Sequence, residues 1–365
     1  MTKVYRVGII GLSGIAAGAA RPAPHPSLGT VTPYSHAAAY ARFPQCRVEA
    51  VCDLSRERID AFLKTWGDRW PGVKAYTNAD EMFANHQLDI LSVATPDHLH
   101  KPFVLAGCEA GVRAILCEKP LATTLADCDE MIAAVRRHGV KMNVDHTRRW
   151  IGSWQDARAA IDAGLIGEVK HVTGILGGPR AMMFRNGTHI VDIINFLARG
   201  TPIWVSAELE PGFEHFKEGY QGDGGHDPAS EPGANAMIGY DNGVRATYIG
   251  MKGSMQDAGA VVYGTKGRIN VDWSTESITL DVDGRQFTRP LQLSGVGMRH
   301  EYQYSGIAGA VADLIHALET GAETVSPPEE ARKAVAVLLG MIESHFQQGR
   351  RVPIAPPPAY QQRAS

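Results

Sequence analysis

Residues 4–16 of the chain read VYRVGIIGLSGIA, an apolar and β-branched run that passes directly into a loop of small residues. The run has no helical period, so it predicts a buried strand over Val4–Ile10, followed by a tight turn and the start of a helix. The loop follows the dinucleotide fingerprint G-x-G-x-x-G/A, with Ser13 in place of the second glycine. The predicted cofactor-binding residues of this loop are Gly11, Ser13, Gly14 and Ile15.

An acidic residue supports the same interpretation. Arg47–Cys52 predicts a second buried strand, and Asp53 follows it where the fingerprint expects a carboxylate that binds the adenosine ribose. Asp53 therefore favours NAD as the cofactor. The nearby Arg56 keeps NADP open, because a guanidinium can pair with a 2′-phosphate.

The interval from Gly11 to Asp53 is about twice the usual spacing of about 20 residues, which indicates an insertion. We assign the insertion to Arg21–Tyr34, whose prolines cannot continue a helix, and expect Ser35 to cap a new helix through Phe43. The insertion either shapes the substrate cleft or is a plain surface excursion, and the sequence favours neither.

Composition is that of an ordinary enzyme-like chain. Of its 365 residues, 44% are hydrophobic and 21% are charged, and the net charge is -3, so we expect no nucleic-acid or membrane partner. The five cysteines lack C-x-x-C spacing, which favours reduced, mostly buried thiols. With no signal peptide expected before the first strand, we predict a cytoplasmic protein. The length favours two domains, which we place at residues 1–147 and 148–365.

Two later apolar runs extend the pattern of the first half. Leu88–Ala94 and Ala114–Cys117 are predicted strands, and helical stretches alternate with them at Arg56–Thr65, Lys101–Ala110 and Leu125–His138. This alternation predicts a doubly wound parallel sheet of the Rossmann type, an α/β fold that binds ligands at the carboxyl ends of its strands.

Two motifs lie at those strand ends. They are Thr95-Pro96-Asp97-His98-Leu99-His100 and Glu118-Lys119-Pro120. The two histidines of the first motif lack further ligands at metal spacing, so we predict no metal site.

At the second motif the sequence resembles the Gfo/Idh/MocA family of two-domain, NAD(P)-dependent sugar and polyol oxidoreductases. The resemblance also rests on the loop at Gly11, on Thr95-Pro96 with His100, on Arg149-Trp150, on residues 164–167, on His189 with Asp192, on residues 262–269 and on the closing helix 328–348. It implies that Lys119 lies against the nicotinamide and the substrate, and that Thr95, Pro96, His100 and Glu118 belong to the cofactor site. A lysine desolvated beside a positive nicotinamide has a lowered pKa, so it can orient a substrate hydroxyl and relay its proton.

The second half predicts an α+β domain with a large open, mostly antiparallel sheet. A helix over Ser153–Ala163 precedes its strands, which are predicted at Glu168–Leu176, Ile203–Leu209, Ala234–Tyr240, Val244–Met251, Gly259–Tyr263, Arg268–Trp273 and Ser277–Val282. An open sheet of this size needs its outer face covered, and similar proteins use it to pair subunits. We therefore expect a homodimer or a homotetramer.

The second active-site pattern of the family, D-x-G-x-H-x-x-D, is altered in this chain. Arg185 replaces the first aspartate, whereas His189 and Asp192 are kept. A helix that starts near Thr188 would place His189 and Asp192 on one face, with His189 able to act as a general base. Arg185 either binds a substrate carboxylate, phosphate or hydroxyl group or points to solvent, and Asp192 is either a substrate residue or a helix-surface residue.

Two further segments bear on the substrate. Similar proteins bring an arginine to the substrate from the domain junction, and Arg149 is a better candidate than Arg148. The glycine-rich segment Gly219–Gly233 is either a substrate lid or a flexible connection.

The sequence thus predicts an oxidoreductase that moves a hydride between a nicotinamide and a carbinol carbon of a sugar, a polyol or a related cyclic alcohol. Lys119 and His189 are its predicted catalytic residues. Two alternatives stay open. One is an NAD-dependent transient-redox enzyme that cleaves a glycoside, and the other is a non-catalytic dinucleotide-binding regulatory protein, against which the retention of both residues argues.

Overall fold

The structure of the chain is a computed structural model, and it describes residues 3–19, 34–222, 225, 227–255, 257–272, 277–289 and 306–358. Within these residues the strands form a 6-stranded and a 9-stranded sheet. The predicted insertion lies outside the described residues except for Tyr34, as do residues 223, 224 and 226 of the glycine-rich segment.

The first sheet is the parallel, doubly wound sheet that the sequence predicts. Its strands are β1 (Tyr5–Ile10), β2 (Cys46–Cys52), β3 (Lys74–Tyr76), β4 (Ile90–Val93), β5 (Ala114–Cys117) and β6 (Lys141–Val144). They pair in parallel in the order β3-β2-β1-β4-β5-β6. The strand order reverses between β1 and β4, and such a reversal opens a crevice at the carboxyl ends of the strands.

Helices cover this sheet. They are α1 (Gly14–Ala17), α2 (His36–Tyr40), α3 (Arg56–Trp66), α4 (Ala79–Asn85), α5 (His100–Glu109) and α6 (Leu125–His138). The prediction that Ser35 caps a helix is confirmed, because its Oγ accepts a hydrogen bond from the backbone N–H of Ala38. That helix ends at Tyr40 instead of Phe43.

The second sheet is mixed and mostly antiparallel, as predicted. Its strands are β7 (Val169–Gly177), β8 (Pro202–Leu209), β9 (Ala234–Tyr240), β10 (Arg245–Met251), β11 (Ala258–Gly264), β12 (Gly267–Asp272), β13 (Ser277–Val282), β14 (Arg285–Arg289) and β15 (Val352–Pro353). Their order is β14-β13-β12-β11-β7-β10-β9-β8-β15, and β7 pairs in parallel with β10. One face of the sheet packs against α7 (Gly152–Asp162), α8 (Gly187–Ala198) and α10 (Pro328–Phe346).

Helix α8 approaches β7 closely, and Gly174 permits this approach. A Cβ atom at Gly174 would lie 2.6 Å from Ile190 Cγ2 and 2.7 Å from Ile194 Cδ1. Every residue of α8 is buried. This close approach therefore fixes α8 against β7, the central strand of the second sheet.

One late helix packs where the sequence does not predict it. Helix α9 (Gly306–Thr320) places Ile307, Val311 and Leu314 in the core of the first sheet, although it follows the strands of the second. The apolar face of α9 thus completes the layer on one side of the Rossmann sheet. The core of the first sheet therefore includes residues from both sides of the predicted boundary at 147/148.

All five cysteines are free and buried, as the sequence predicts. No helix in the described part of the chain is long and apolar enough to cross a membrane.

Candidate active site

A cleft of about 1180 Å³ lies along the carboxyl ends of the first sheet and reaches the amino-terminal turn of α8. Loops that follow β1, β2, β4, β5 and β6 line it on one side. The predicted site residues that line it are Gly11, Ser13, Gly14, Ile15, Asp53, Thr95, Pro96, Glu118, Lys119, Arg185 and His189.

The nucleotide loop leaves room for a dinucleotide at one end of the cleft. Gly11 has a φ of +84°, and a Cβ atom there would lie 2.5 Å from the carbonyl oxygen of Ala94. A Cβ atom at Gly14 would meet nothing within 4 Å, so the backbone at Gly14 borders open space. The side chain of Ser13 makes no capping hydrogen bond to α1. This chain therefore fits a phosphate-bearing cofactor here despite its serine.

Asp53 is held at the end of β2 with its carboxylate at the cleft. Its Oδ2 accepts a hydrogen bond of 2.7 Å from the N–H of Leu12, and its Oδ1 accepts one of 2.8 Å from the N–H of Ser55. The arginine beside it is Arg58, whose Nη1 lies 3.6 Å from Asp53 Oδ2 and which lines the cleft, whereas Arg56 does not. The arginine at the position where a 2′-phosphate would bind is therefore Arg58, which the sequence does not single out, and not Arg56.

His100 supports the cofactor end of the cleft from behind. It is completely buried, and hydrogen bonds join its Nδ1 to the carbonyl oxygen of Pro120 at 2.9 Å and its Nε2 to that of Thr95 at 3.1 Å. His100 thus links the loops after β4 and β5 without lining the cleft. Its neighbour His98 instead contacts Gly222, with 2.7 Å between Nδ1 and the carbonyl oxygen.

Lys119 connects the two sheets across the cleft. Its Nζ donates a hydrogen bond of 3.1 Å to the carbonyl oxygen of Arg185, and the Lys119–Pro120 peptide bond is cis. Burial lowers the pKa of Lys119, and the charge of Arg185 lowers it further, although Glu118 opposes the shift. The ammonium group is therefore a better proton donor than an exposed lysine.

His189 lies in the first turn of α8 and lines the same cleft. Burial, together with the charges of Arg148 and Lys119, lowers the pKa of His189 well below its usual range, so the ring is neutral. Its Nδ1 is buried and has no hydrogen-bond partner among the described residues, which leaves Nε2 for the cleft. Its ring packs edge-on against His146, with 5.8 Å between the ring centroids. A neutral imidazole in this position can accept a proton.

A buried ion cluster, which sequence reasoning missed, lies behind Lys119. His36 Nε2 is 3.2 Å from Glu118 Oε1 and 3.6 Å from Asp145 Oδ2. Burial lowers the pKa of His36, but its contact with the Asp145 carboxylate and its hydrogen bond to Glu118 outweigh burial and raise the pKa to about 9. Burial raises the pKa of Glu118, but the hydrogen bond from His36 and the charge of Lys119 outweigh it and lower the pKa to about 2. Burial raises the pKa of Asp145.

This cluster is also the one group in the described part of the chain whose side chains could hold a metal ion, because its ligand atoms all lie within 4.8 Å of one another. A sequence signal for it exists in hindsight. Glu118 directly follows β5, Asp145 directly follows β6, and His36 opens a capped helix. The carboxyl ends of neighbouring parallel strands meet at one edge of a sheet.

Arg149 and Asp192 do not line the cleft, although the sequence predicts a substrate role for Arg149 and leaves Asp192 open between a substrate residue and a helix-surface residue. Arg149 Nε and Nη2 donate hydrogen bonds of 2.8 Å to the two carboxylate oxygens of Asp192. Arg149 also donates to the carbonyl oxygen of Val325 and lies 3.3 Å from Glu330 Oε2. Both side chains are buried and form an ion pair with each other instead of facing the cleft.

The loop before α8 carries two arginines that line the cleft, Arg180 and Arg185. Glu231 fixes its backbone, because Oε2 accepts hydrogen bonds from the N–H groups of Phe184 and Arg185. Nearby, Tyr220 donates a hydrogen bond of 2.5 Å to Asp97 Oδ2. The described part of the glycine-rich segment thus contacts the strand-end turn of the first sheet.

Comparison with known proteins identifies the family. The family model described as "Oxidoreductase family, NAD-binding Rossmann fold" matches residues 5–146, and that of the "GFO/IDH/MocA C-terminal domain" matches residues 154–270. The chain belongs to the Gfo/Idh/MocA oxidoreductase family. Its first domain is accordingly an NAD-binding Rossmann domain, as the sequence predicts.

Relatives in the family carry several named activities. The chain is 28% identical over 225 residues to a 2,7-anhydro-N-acetylneuraminate hydratase of Mediterraneibacter gnavus, and this match covers 58% of each chain. It is 32% identical over 178 residues to a D-apiose dehydrogenase of Paraburkholderia graminis, which covers 45% of this chain and 46% of the relative. The chain therefore spans about half the length of the curated relatives it matches.

Among solved structures, an aldose-aldose oxidoreductase from Caulobacter crescentus complexed with glycerol is similar over nearly the whole fold. The TM-score is 0.76 at 20% identity, and the match covers 96% of this chain and 100% of that one. This similarity extends the shared fold beyond the segments that the family models match.

Proposed function

We propose that the chain is an NAD-dependent dehydrogenase or reductase that acts on a CH–OH group of a sugar, a polyol or a related cyclic alcohol. One observation carries the proposal. Lys119 from the first sheet and His189 from α8 line the same cleft, whose far end is lined by the nucleotide loop and Asp53. The D-apiose dehydrogenase among the relatives has an activity of this class by name.

The residues of the nucleotide end would hold the cofactor. The loop Gly11–Ile15 would face its phosphates and Asp53 its adenosine ribose, with Thr95, Pro96 and Glu118 between these groups and Lys119. When bound, the nicotinamide accepts or supplies the hydride.

In the oxidation direction, Lys119 and His189 divide the handling of the proton. Lys119 Nζ donates a hydrogen bond to the substrate oxygen and stabilises the negative charge that develops there. The neutral His189 accepts the hydroxyl proton through Nε2 as the carbinol carbon loses its hydride. Reduction runs through the same groups in reverse, with His189 returning the proton.

Arg180 and Arg185 occupy the substrate end of the cleft, and we assign them to substrate oxygens. A guanidinium can bind a carboxylate in two parallel hydrogen bonds, so two arginines favour a polyhydroxylated substrate that also carries a carboxylate. Arg149 and Asp192 have no part in this assignment, because they are paired with each other.

A second reaction type, the internal redox cycle, has one specific observation in its favour. A relative that is 28% identical is named a hydratase, so the family includes a member whose named reaction is not a net oxidation. In such a cycle, the same Lys119 and His189 would serve a transient oxidation, and the cofactor would return to its starting state.

The outer face of the second sheet supports a homodimer or homotetramer. Several large apolar side chains are exposed on the second sheet: Ile203, Met237, Met251 and Tyr263. We propose that subunits pair over this face, which would remove these side chains from water. Light scattering of the wild type and of Met237→Lys measures the oligomeric state, and a wild-type monomer would contradict the proposal.

The five free, buried cysteines support a cytoplasmic location.

The deciding experiment is a screen of sugars, inositols, sugar acids and glycosides with NAD, in which both nicotinamide reduction and product formation are measured. Net reduction supports the dehydrogenase, and product without net reduction supports the internal cycle. Sugar acids should show a higher kcat/KM than the matched neutral alcohols.

The matched variants are Lys119→Ala and His189→Asn. We expect each to lose at least about 100-fold in kcat, the usual contribution of a positioned acid or base, while the Kd of NAD changes little. Full activity of Lys119→Ala would contradict the catalytic assignment. NAD binding with no turnover of any compound would instead favour a regulatory protein.

A further inference from the structure

A row of buried polar side chains in mutual contact lies behind the wall of the cleft and ends at Lys119. His36 Nδ1 lies 3.0 Å from Ser92 Oγ, which in turn lies 2.9 Å from Tyr40 Oη. On its other side, the His36 ring contacts the carboxylates of Glu118 and Asp145. His36, Ser92 and Tyr40 are completely buried and do not line the cleft.

His36 is placed to balance the charge of two carboxylates. Two buried carboxylates side by side repel each other, and the low dielectric around them makes that repulsion costly. One imidazolium between them compensates this repulsion and donates its Nε2–H toward both. The raised pKa of His36 and the lowered pKa of Glu118 agree with this arrangement.

Glu118 transmits this contact to Lys119 by its other oxygen. Its Oε2 accepts a hydrogen bond of 3.2 Å from the backbone N–H of Lys119 and lies 3.9 Å from Lys119 Nζ. The carboxylate therefore bridges His36 and Lys119, with one oxygen for each. Removal of the imidazolium would alter both the orientation and the charge of the group that faces Lys119.

We propose that His36 is a positioning residue, whose imidazolium holds one oxygen of the Glu118 carboxylate so that the other oxygen keeps Lys119 aimed at the substrate oxygen. The inference rests on the proposed function, because Lys119 is the group through which His36 acts. It differs from a purely structural role in predicting an effect on catalysis that depends on Glu118.

His36 and Lys119 contact Glu118 from opposite sides, and each has its own set of charged neighbours. His36 contacts Ser92 on β4, and Glu118 and Asp145 at the ends of β5 and β6. Tyr40, on the same helix as His36, contacts the same Ser92 hydroxyl. The charged groups that act on Lys119 are Glu118, Asp97, Arg185 and Arg148. His36 is the cation that contacts Glu118 from the side away from the cleft.

The test is His36→Gln, which keeps an N–H donor but removes the charge. Without the imidazolium, the pKa of Glu118 rises, so Glu118 takes up a proton at a pH where it is ionised in the wild type. We expect kcat at neutral pH to fall at least about tenfold and to recover as pH is raised, so that an acid limb appears in the pH profile. The Kd of NAD should change much less than kcat.

Arg332→Gln is the matched control. It breaks the ion pair of another buried cation, Arg332, whose Nε lies 2.5 Å from Asp129 Oδ1, on helices α10 and α6 away from the cleft. It should lower stability without moving the pH profile. If His36→Gln loses stability only, with the wild-type kcat and pH profile, the proposal is wrong.

The double variant His36→Gln/Glu118→Gln tests the route through Glu118. It removes both charges of one contact, so it is expected to fold even where the single variant does not. The acid limb should be absent from it, because residue 118 can no longer titrate. An acid limb that persists in the double variant would show that His36 does not act through Glu118.

Two measurements on the wild type separate this proposal from the proposed function. NMR of 15N-labelled histidine should find the His36 ring as an imidazolium at pH 7, and a neutral His36 ring would overturn the proposal even if NAD turnover is observed. Metal analysis of the purified enzyme provides the second. A stoichiometric divalent ion whose removal abolishes activity would assign the cluster to metal binding instead.

Discussion

Replacement of Asp192 by asparagine removes one charge from the buried ion pair with Arg149 and nearly preserves the shape of the side chain. The pair contributes two hydrogen bonds of 2.8 Å, and Asp192 and Arg149 are 0% and 2% exposed. After the change, the nearest carboxylate to Arg149 is that of Glu330, 3.3 Å from Nη2. In the variant, the buried guanidinium of Arg149 is therefore compensated only in part, by the carboxylate of Glu330.

Breaking a buried ion pair by removing one partner costs about 3–5 kcal/mol. Because Glu330 still compensates part of the charge of Arg149, we expect Asp192→Asn to lose about 3 kcal/mol of unfolding free energy, the lower end of that range. This corresponds to a fall of about two powers of ten in the folding equilibrium constant. Arg149→Met should lose a similar amount, because it leaves Asp192 beside His146, whose Nδ1 lies 3.5 Å from Asp192 Oδ1.

Urea unfolding at one fixed protein concentration measures these losses. The double variant Asp192→Asn/Arg149→Met should lose at least about 2 kcal/mol less than the sum of the single losses, since the second change removes a charge that is already unpaired. A loss below about 1 kcal/mol for Asp192→Asn, the range of an exposed ion pair, would refute the buried pair. Unchanged stability with a raised KM would support the substrate role that the sequence predicts.

Three further outcomes follow from the site. In the oxidation direction, kcat/KM should fall as the pH rises, with a midpoint below 10.5, the ordinary pKa of lysine, because the pKa of Lys119 is lowered. Arg185→Gln should move that midpoint to higher pH, because it removes a charge that lowers the pKa of Lys119. Asp53→Ser should weaken NAD at least about tenfold and raise the NADP-to-NAD affinity ratio, as measured by fluorescence titration. Tyr220→Phe should raise the substrate KM with little change in kcat, because it removes the hydrogen bond to Asp97 that joins the two sides of the cleft.

The parts of the fold that the sequence predicts well are those with a local signal. Helix Leu125–His138 begins after Thr124, whose hydroxyl accepts a hydrogen bond from the N–H of Asp127, and ends at Gly139 in a left-handed conformation. Both ends of this helix can be predicted from the type of one residue, a threonine before the start and a glycine after the end. The parallel sheet follows from runs that are too short and too β-branched for helices.

What the sequence does not predict depends on distant partners. Nothing local to Gly306–Thr320 says that its apolar face packs on the first sheet, because an amphipathic pattern does not name the surface that it covers. The sequence predicts a substrate role for Arg149 and leaves Asp192 open, whereas the structure pairs the two with each other. A polar side chain near a cleft can bind a ligand or its neighbour, and only the spatial contact distinguishes the two.

The change from aspartate to arginine at position 185 has a physical explanation in the contact with Lys119. Lys119 Nζ donates to the backbone carbonyl oxygen of Arg185, and this acceptor is present whatever side chain the position carries. Glu231 holds the backbone of the same residue in place from the other side. The side chain at 185 can therefore be basic without leaving the lysine unpartnered.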